Sequence, residues 1–225
     1  MIWFFVPHKS AIEERLPAEE TFRRIRKLAK MPTVWLLSLM IVAAYVGYKI
    51  TDDFSLGAKE VLGFSELSAA GVGTAALWLR ALIAILAGYL GDRLNSTKVI
   101  TFSFALSIVG GLIIATGWLN ELTGLVLINL SITTAGIYGV RALYFAILKE
   151  ANITLALTGT AVGIVSVIGY TPDIFMSPWM GHLLDSNPGE VGHQHVFWVL
   201  VGFSALGLIG SLVFSSITLK TEPQE

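Results

Sequence analysis

Three ionisable residues lie within long apolar segments, where charged residues are rare. Arg80, Arg141 and Asp173 each lie within a long run of mostly apolar residues. A charged side chain at the centre of a membrane costs about 2.5–3.5 kcal/mol on insertion scales, so it usually faces a cavity or a charged partner. Two guanidinium groups with one carboxylate favour a bound anion, because arginine forms charge-assisted hydrogen bonds with anionic groups.

Arg80 lies on the small-residue face of its segment. Steps of three and four residues from Arg80 reach Gly73, Ala76, Ala84 and Gly88, whereas several leucines fall on other faces. Because residues three or four apart share one face of a helix, the side chain is predicted to point into protein or into a water-filled cleft. We interpret Arg80 as a substrate-binding or gating residue; a structural arginine bonded to neighbouring carbonyl groups is the alternative.

Asp173 follows a proline inside another apolar segment and is predicted to lie in its outer third. Pro172 removes a backbone donor and clashes with the preceding turn, so a kink or an unwound turn is expected. Irregular backbone at membrane depth usually lines a cavity. Asp173 is therefore interpreted as a coupling carboxylate or as the partner of an arginine; a helix cap or a merely charge-neutralising residue is the alternative.

The composition of the 225-residue chain indicates which elements position these residues. Hydrophobic residues make up 54% of the chain and charged residues 14%, against roughly 25% charged residues in soluble domains. The mean hydropathy is +0.72. These values predict an integral membrane protein. A net charge of −1 gives no indication of a nucleic-acid partner, and the absence of Cys excludes disulfides and thiolate metal sites.

Six apolar stretches are long enough for membrane-spanning helices, which need about 20 residues each. They cover approximately residues 32–51, 67–91, 98–118, 122–147, 156–181 and 196–218. Strands would need only about 10 alternating residues. The sequence therefore predicts an all-α integral membrane protein whose bundle of six transmembrane helices covers residues 32–218, with a short tail at 219–225.

Residues 1–31 are predicted to hold the end of a preceding helix and then a cytoplasmic amphipathic linker. Phe22, Ile25 and Leu28 form an apolar edge among basic residues, which suits a helix lying on membrane lipids; a solvated linker is the alternative. Most Lys and Arg residues fall in this linker and in alternate connections, whereas 52–66 is predicted as an acidic outer loop. The positive-inside rule therefore predicts that both termini are cytoplasmic.

A charged turn joins the second and third predicted helices. The segment 88–98 contains Asp92 and two basic residues, and Asn95 lies where the chain must reverse. Asparagine tolerates left-handed backbone better than most residues, and Asp92 can face the positive end of a neighbouring helix. A simple tight turn is the alternative interpretation.

At these residues the chain resembles the major facilitator superfamily. The signature of that family runs Gly, three residues, Asp, Arg, one residue, Gly, one residue and two basic positions, and it follows the second helix of each six-helix half. Gly88, Asp92, Arg93 and Lys98 match it, whereas Asn95 replaces the glycine and Thr97 the first basic residue. The resemblance implies a conformational-switch motif at Gly88, Asp92, Arg93 and Lys98.

The order of the segments resembles a C-terminal half of such a transporter over nearly the whole chain. The resemblance implies a six-helix half bundle that works by alternating access with an N-terminal half or a second copy of itself. The corresponding fourth helix often carries an arginine linked to binding or coupling, which implies these roles for Arg141. Tyr138 shares the helical face of Arg141 and is included among the substrate contacts. A structural role near the membrane surface is the alternative for Arg141.

The end of the first predicted helix carries Tyr45, Tyr48 and Lys49 near one face. The family often uses this region for substrate contacts, which implies that role for all three residues. Tyrosines are also common in interfacial belts, and this alternative stays open. Lys49 could instead pair with Asp52 or Asp53.

Other chemical motifs are weak or absent. His182, Asp185, His193 and His195 lie close together in the sequence, but their spacing does not match a zinc-binding pattern, so no metal site is predicted. The sequence contains no nucleophile–base motif, phosphate-binding loop or nucleotide fingerprint. We therefore expect a chain that is not an enzyme, needs no cofactor and is not driven by ATP.

The residues and the resemblance together predict the C-terminal half of a secondary active transporter in a bacterial inner membrane. Its substrate is predicted to be a small organic or inorganic anion, with proton coupling as an option. Some nitrate/nitrite and organic-anion branches of the family would fit. A transporter for a neutral or cationic solute with an Arg–Asp coupling pair is one alternative. An inactive or scaffold membrane fragment is the other.

Overall fold

A computed structural model of the chain describes residues 18–119, 122–151 and 153–219. The regular structure within these ranges is helical, with two 3-10 turns at Thr51–Asp53 and Ala146–Leu148. In chain order the helices are α1 (Ala18–Ala29), α2 (Pro32–Ile50), α3 (Phe54–Glu60), α4 (Glu66–Leu94), α5 (Ser96–Ala115), α6 (Thr123–Leu143), α7 (Leu155–Gly169), α8 (Pro172–Ser186) and α9 (Glu190–Leu219).

Six stretches of helix are long and apolar enough to cross a membrane. They run Pro32–Glu60, Glu66–Leu94, Ser96–Ala115, Thr123–Leu143, Ala156–Ser186 and Glu190–Thr218. The predicted all-α fold with six transmembrane helices is therefore confirmed. Successive spans run in opposite directions, so the α4–α5 turn lies at one end of the bundle and the α8–α9 turn at the other.

The first span continues beyond its predicted end at residue 51. The 3-10 turn and α3 carry it to Glu60, in a region that the sequence analysis assigns to an outer loop. Phe54 and Ala58 are both buried in this extension, so its inner face packs like the rest of the helix. Tyr45 and Tyr48 consequently lie near the middle of the span instead of at its end.

The fifth span is broken near its centre. Helix α7 ends at Gly169, and α8 begins with Pro172 in its first turn, where a missing N–H is tolerated. A Cβ on Gly169 would collide with the side chain of Ile41 in α2. Because α8 continues to Ser186, Asp173 lies near the middle of the span, not in its outer third as expected.

Helices α5 and α6 are in close contact. A Cβ on Gly136 would lie 2.7 Å from the carbonyl oxygen of Ser103, so only glycine allows this approach. The amide of Asn129 also donates to the carbonyl of Gly110 at 2.8 Å. These contacts fix the position of α6, which carries Tyr138 and Arg141.

The spans differ strongly in burial. Within the apolar stretch of the first span 61% of residues are buried, whereas only 11% are buried in the second span, which is α4. Residues such as Leu77, Leu82 and Leu86 leave much of α4 exposed. Helix α2 is therefore central to the bundle, and α4 lies at its edge.

Helix α1 packs against the start of α7. One nitrogen of Arg24 pairs with Glu20 at 2.9 Å and another donates to the carbonyl of Ala156 at 2.9 Å. Leu28 is fully buried, whereas Phe22 is 76% exposed. The predicted apolar edge of this linker therefore faces the bundle at one end only, and the predicted preceding helix and C-terminal tail lie outside the described residues.

Candidate functional site

Helix α2 presents two tyrosines and a lysine on one side of the bundle. Tyr45 and Tyr48 are one turn apart, and their rings meet edge to face with centroids 5.5 Å apart. Lys49 is largely buried, with 17% of its side chain exposed. Helix α2 packs against α9 through Met40 and Gly47, whereas its tyrosines reach α8 and α6.

Arg141 of α6 lies directly over these rings. The guanidinium carbon is 4.0 Å from the ring centre of Tyr48 and 4.9 Å from that of Tyr45. Such cation–π contacts are worth up to about 2 kcal/mol when water is excluded. The Nη1 atom of Arg141 is buried and has no hydrogen-bond partner among the described residues. A buried polar group of this kind is costly unless a ligand or water satisfies it.

Arg80 of α4 approaches the same rings from the edge of the bundle. Its guanidinium carbon lies 5.8 Å from the ring centre of Tyr48 and 5.6 Å from that of Tyr138. Arg80 and Arg141 line one cavity together with Tyr138 and Tyr144. Neither arginine pairs with a carboxylate in the described part of the chain, so both can direct N–H groups into this cavity.

Asp173 lies beside α2, immediately after the break in the fifth span. The hydroxyl of Tyr45 donates to its Oδ2 atom at 2.7 Å, and the Lys49 ammonium lies 3.7 Å from its Oδ1 atom. The same ammonium lies 3.5 Å from Asp52. The structure therefore brings Asp173 to Lys49, whereas the sequence analysis had expected an arginine as one possible partner.

Two further tyrosines complete the cluster. The ring of Tyr170 lies 5.1 Å from that of Tyr45, and the hydroxyls of Tyr170 and Tyr144 are 3.5 Å apart. Neither residue is named as a candidate in the sequence analysis. Their spacing beside Arg141 and beside the proline break was the available signal, but the contact of Tyr170 with α2 depends on the tertiary structure.

All seven candidate substrate and coupling residues thus lie in one cluster, to which Arg141 contributes from the last turn of α6. They are Tyr45, Tyr48, Lys49, Arg80, Tyr138, Arg141 and Asp173. When Asp52 is included because it also pairs with Lys49, three cations face two carboxylates, and one positive charge remains unbalanced. Since aromatic rings cover the guanidinium faces, the N–H edges stay available for in-plane hydrogen bonds with an anion.

The predicted switch motif lies at the α4–α5 end of the bundle, away from this cluster. Asp92 and Lys98 are exposed there, and Arg93 lies 5.1 Å from the ring centre of Tyr89. Gly91 packs against Leu143, where an added Cβ would come within 2.8 Å. Space around Gly88 is open, so close packing at this position is not seen within the described bundle.

The turn itself is held by residues that the motif does not contain. Asn95 has a φ of 98°, and its side-chain oxygen accepts from the backbone N–H of Thr97 at 2.9 Å. The carboxylate of Glu150 accepts from the N–H of Ser96 at 2.9 Å and from the N–H and hydroxyl of Thr97. Glu150, not Asp92, therefore caps the positive end of α5, and it was missed because it follows α6 in the sequence.

Neither a protein-family model nor a solved structure matches the chain significantly. Two curated proteins of Escherichia coli (strain K12) are similar to it. Inner membrane protein YqcE is 29% identical over 233 residues, which cover 98% of this chain and 53% of YqcE. Inner membrane protein YihN is 38% identical over 73 residues, which cover 32% of this chain and 17% of YihN.

The chain therefore spans about half the length of the relative that it matches end to end. Both relatives carry names that describe inner membrane proteins. Together with the six membrane-length helices, this similarity identifies the chain as an all-helical integral membrane protein whose spans surround a polar cluster.

Proposed function

We propose that the chain is the C-terminal six-helix half of a secondary active transporter that moves a small anion across a bacterial inner membrane. The position of the segment 88–98 between the second and third spans supports membership of the major facilitator superfamily. The names of the two relatives support the location in the inner membrane. Alternating access then requires a second six-helix bundle that rocks against this one.

The main support for an anionic substrate is the lack of a hydrogen-bond partner at Arg141 within the described part of the chain. Its Nη1 atom is buried without a partner, although the surrounding rings hold the guanidinium in place. Arg80 shares the same cavity and also lacks a carboxylate partner among the described residues. An anion that bridged the two guanidinium groups would satisfy both and balance the net positive charge of the cluster. Organic acids, sugar acids, phosphate esters and nitrate all have this chemistry.

The exposed face of α4 supports the second bundle. Only 11% of its apolar stretch is buried, yet this face includes Arg80, which is too polar for lipid contact. An N-terminal half or a second copy of the chain would cover it and close the cavity from the other side. The match covers 53% of YqcE, so that relative is long enough to hold a second bundle of similar size.

Asp173 is the carboxylate that we assign to coupling. Protonation of Asp173 would remove the negative charge next to Lys49 and leave that ammonium more strongly available to an anion. Proton binding and anion binding would therefore favour each other. An Arg–Asp pair that serves a neutral or cationic solute has less support, because the carboxylate contacts Lys49 and Tyr45 instead.

A ligand screen followed by uptake tests this proposal. The chain is purified with any companion bundle, and its thermal unfolding is measured with nitrate, inorganic phosphate, glycerol 3-phosphate and glucuronate. A ligand at 100 times its Kd stabilises the folded state by about 2.7 kcal/mol, which gives a measurable shift in Tm. Uptake of the stabilising anion into proteoliposomes then follows.

In the uptake assay Arg80→Ala should abolish transport, and Asp92→Asn should slow cycling while binding persists. Arg26→Ala is the matched control, because Arg26 is an exposed arginine of α1 outside the cluster. Unchanged uptake in Arg80→Ala would remove Arg80 from the site. A chain that neither binds nor transports any anion of the panel would favour the scaffold alternative.

A further inference from the structure

A second charged cluster joins α3 to α9 at the end of the bundle opposite the α4–α5 turn. The Nδ1 atom of His193 lies 2.8 Å from Oδ2 of Asp53, and its Nε2 atom lies 3.2 Å from Oε2 of Glu60. His193 and Asp53 are each only 3% exposed. One imidazole ring of α9 therefore bridges two carboxyl groups of the first span, of which Asp53 is buried and Glu60 has 42% of its side chain exposed.

The number of protons in this cluster follows from its donors and acceptors. An ionised carboxylate only accepts hydrogen bonds, and a neutral imidazole has one N–H. Two ring nitrogens that both face carboxylate oxygens thus need one additional proton, either on the ring or on a carboxyl group. Without it, one of the two contacts would place two acceptors against each other.

Among the described residues, His193 is the cation in direct contact with Asp53 and Glu60, and Lys59 acts on Glu60 only through space. The adjoining cavity is closed on the α5 and α6 sides by the apolar residues Ile114, Val126 and Leu130, and none of its described lining residues is Lys or Arg. Within α3 the ammonium of Lys59 pairs with Glu66 at 2.9 Å. On α9 the carboxylate of Glu190 accepts from Gln194 at 2.6 Å.

Asp53 reinforces the need for a bound proton. Its second oxygen, Oδ1, is buried without a hydrogen-bond partner among the described residues. A buried carboxylate with one orphaned oxygen is destabilised unless its charge is compensated nearby. The charge of Asp53 is therefore compensated within the cluster, by the proton that it shares with His193.

A single 3-10 turn connects this cluster to the candidate site. Within Thr51–Asp53, the Thr51 hydroxyl lies 3.3 Å from that of Tyr138, and the Asp52 carboxylate lies 3.5 Å from the Lys49 ammonium. The next residue, Asp53, holds His193. Movement of the turn would therefore alter both clusters.

We propose that Asp53, Glu60 and His193 form a proton-binding site that fastens α3 to the start of α9 while the additional proton is bound. Loss of this proton to water leaves one ring nitrogen facing a carboxylate without a hydrogen between them. The contact is then repulsive, and α3 is released from α9. The site is separate from Asp173, and its existence does not depend on the proposed transport function.

Histidine ring nitrogens labelled with ¹⁵N provide the direct test. NMR spectra of the chain in lipid nanodiscs are recorded at neutral pH, and His193→Gln identifies the signals of this ring. We expect both nitrogens of His193 to carry hydrogen. Asp53→Asn keeps the side-chain shape but offers an amide, so a neutral ring should satisfy both contacts and show one N–H. A single N–H in the unmodified chain, with no proton on either carboxyl group by infrared difference spectroscopy, would overturn the proposal.

The release of α3 is tested by spin labels, which the absence of cysteine makes straightforward. Labels are attached through Leu56→Cys on α3 and Val191→Cys on α9, two exposed positions. The interlabel distance should be narrowly distributed at neutral pH and broaden at the alkaline pH where the second N–H is lost. Asp53→Asn should keep the narrow distribution at both pH values, and His195→Gln should behave like the unmodified chain. A distribution that stays narrow after proton loss would exclude the latch.

Discussion

The two charged clusters of this bundle differ in how their polar groups are satisfied. Around His193, both carboxyl groups contact the ring, and the adjoining cavity is lined mainly by apolar residues. Around Arg141, the guanidinium lies on tyrosine rings and one of its buried nitrogens has no described partner. Once a proton is counted, each donor of the first cluster has an acceptor, and its only buried atom without a partner among the described residues is an acceptor, Oδ1 of Asp53. The second cluster leaves a donor without an acceptor, which an anion from outside the chain would supply.

This difference separates a structural contact from a binding site better than charge or burial does. Both clusters contain ionisable groups within membrane-length helices, and both would be called unusual from composition alone. Only the Arg141 cluster leaves donors directed into a cavity. Substitutions in the His193 cluster should therefore lower the stability of the fold, whereas substitutions in the Arg141 cluster should lower the affinity for an anion.

The largest effect is expected when one partner is removed from the His193 cluster. Asp53→Ala leaves His193 buried beside an empty space, and breaking a buried ion pair from one side costs about 3–5 kcal/mol. Asp52→Ala, at the neighbouring but 60% exposed side chain, should cost less than about 1 kcal/mol. Unfolding titrations in mixed micelles measure both. Equal losses of unfolding free energy in the two variants would contradict a buried ion pair between Asp53 and His193.

Removal of a donor from the Arg141 cluster should instead affect the binding of the anion. Arg141→Gln should weaken the affinity for the stabilising anion by roughly 100-fold, which corresponds to about 2.7 kcal/mol. Stability should change little, because the loss of the cation–π contacts is offset by removal of a buried, unsatisfied guanidinium. Calorimetric titration and thermal unfolding of the same sample measure both quantities.

Arg141→Lys sharpens this prediction, because lysine keeps the charge but loses the planar fork that presents two parallel N–H groups. We expect it to recover less than a tenth of the lost affinity. Full recovery would mean that the positive charge alone holds the anion. A large loss of stability in Arg141→Gln without a loss of affinity would make Arg141 a structural residue.

The sequence analysis succeeded where a property is encoded along one helix. Apolar length predicted the six spans, and the step of three residues placed Tyr138 beside Arg141. The proline in front of Asp173 predicted the break in the fifth span. Each of these signals is local, so no knowledge of the tertiary structure was needed.

The missed contacts are those between distant segments. Glu150 caps α5 from a position more than fifty residues further along the chain. His193 contacts Asp53, from which it is separated by 140 positions in the sequence. The pattern of a single sequence contains no signal for such pairs, because each partner by itself resembles an ordinary surface residue. The extension of the first span to Glu60 was missed for the same reason, since its burial depends on α9.

A smaller effect is expected at the α4–α5 turn, where the polar groups are satisfied but partly accessible. Glu150→Ala removes the acceptor of two backbone N–H groups at the start of α5, and loss of such a cap costs about 1–2 kcal/mol. Hydrogen exchange at Ser96 and Thr97 should rise accordingly. Glu150→Gln, which keeps one acceptor oxygen, should show a smaller increase; unchanged exchange in both variants would mean that Asn95 alone holds the turn.

The smallest effect is expected at Asp173, whose carboxylate already has two partners within the Arg141 cluster, Tyr45 and Lys49. Tyr45→Phe removes the hydroxyl that donates to Asp173 at 2.7 Å and leaves the ring under Arg141. The carboxylate charge is then less shielded and repels a bound anion, which should lower its affinity by roughly threefold to tenfold, or about 1 kcal/mol. In an Asp173→Asn background the same substitution should have almost no effect, because the charge is already gone. A double-mutant cycle of anion affinities measures this coupling; additive losses would show that Tyr45 acts on the anion directly and that Asp173 lies outside the binding equilibrium.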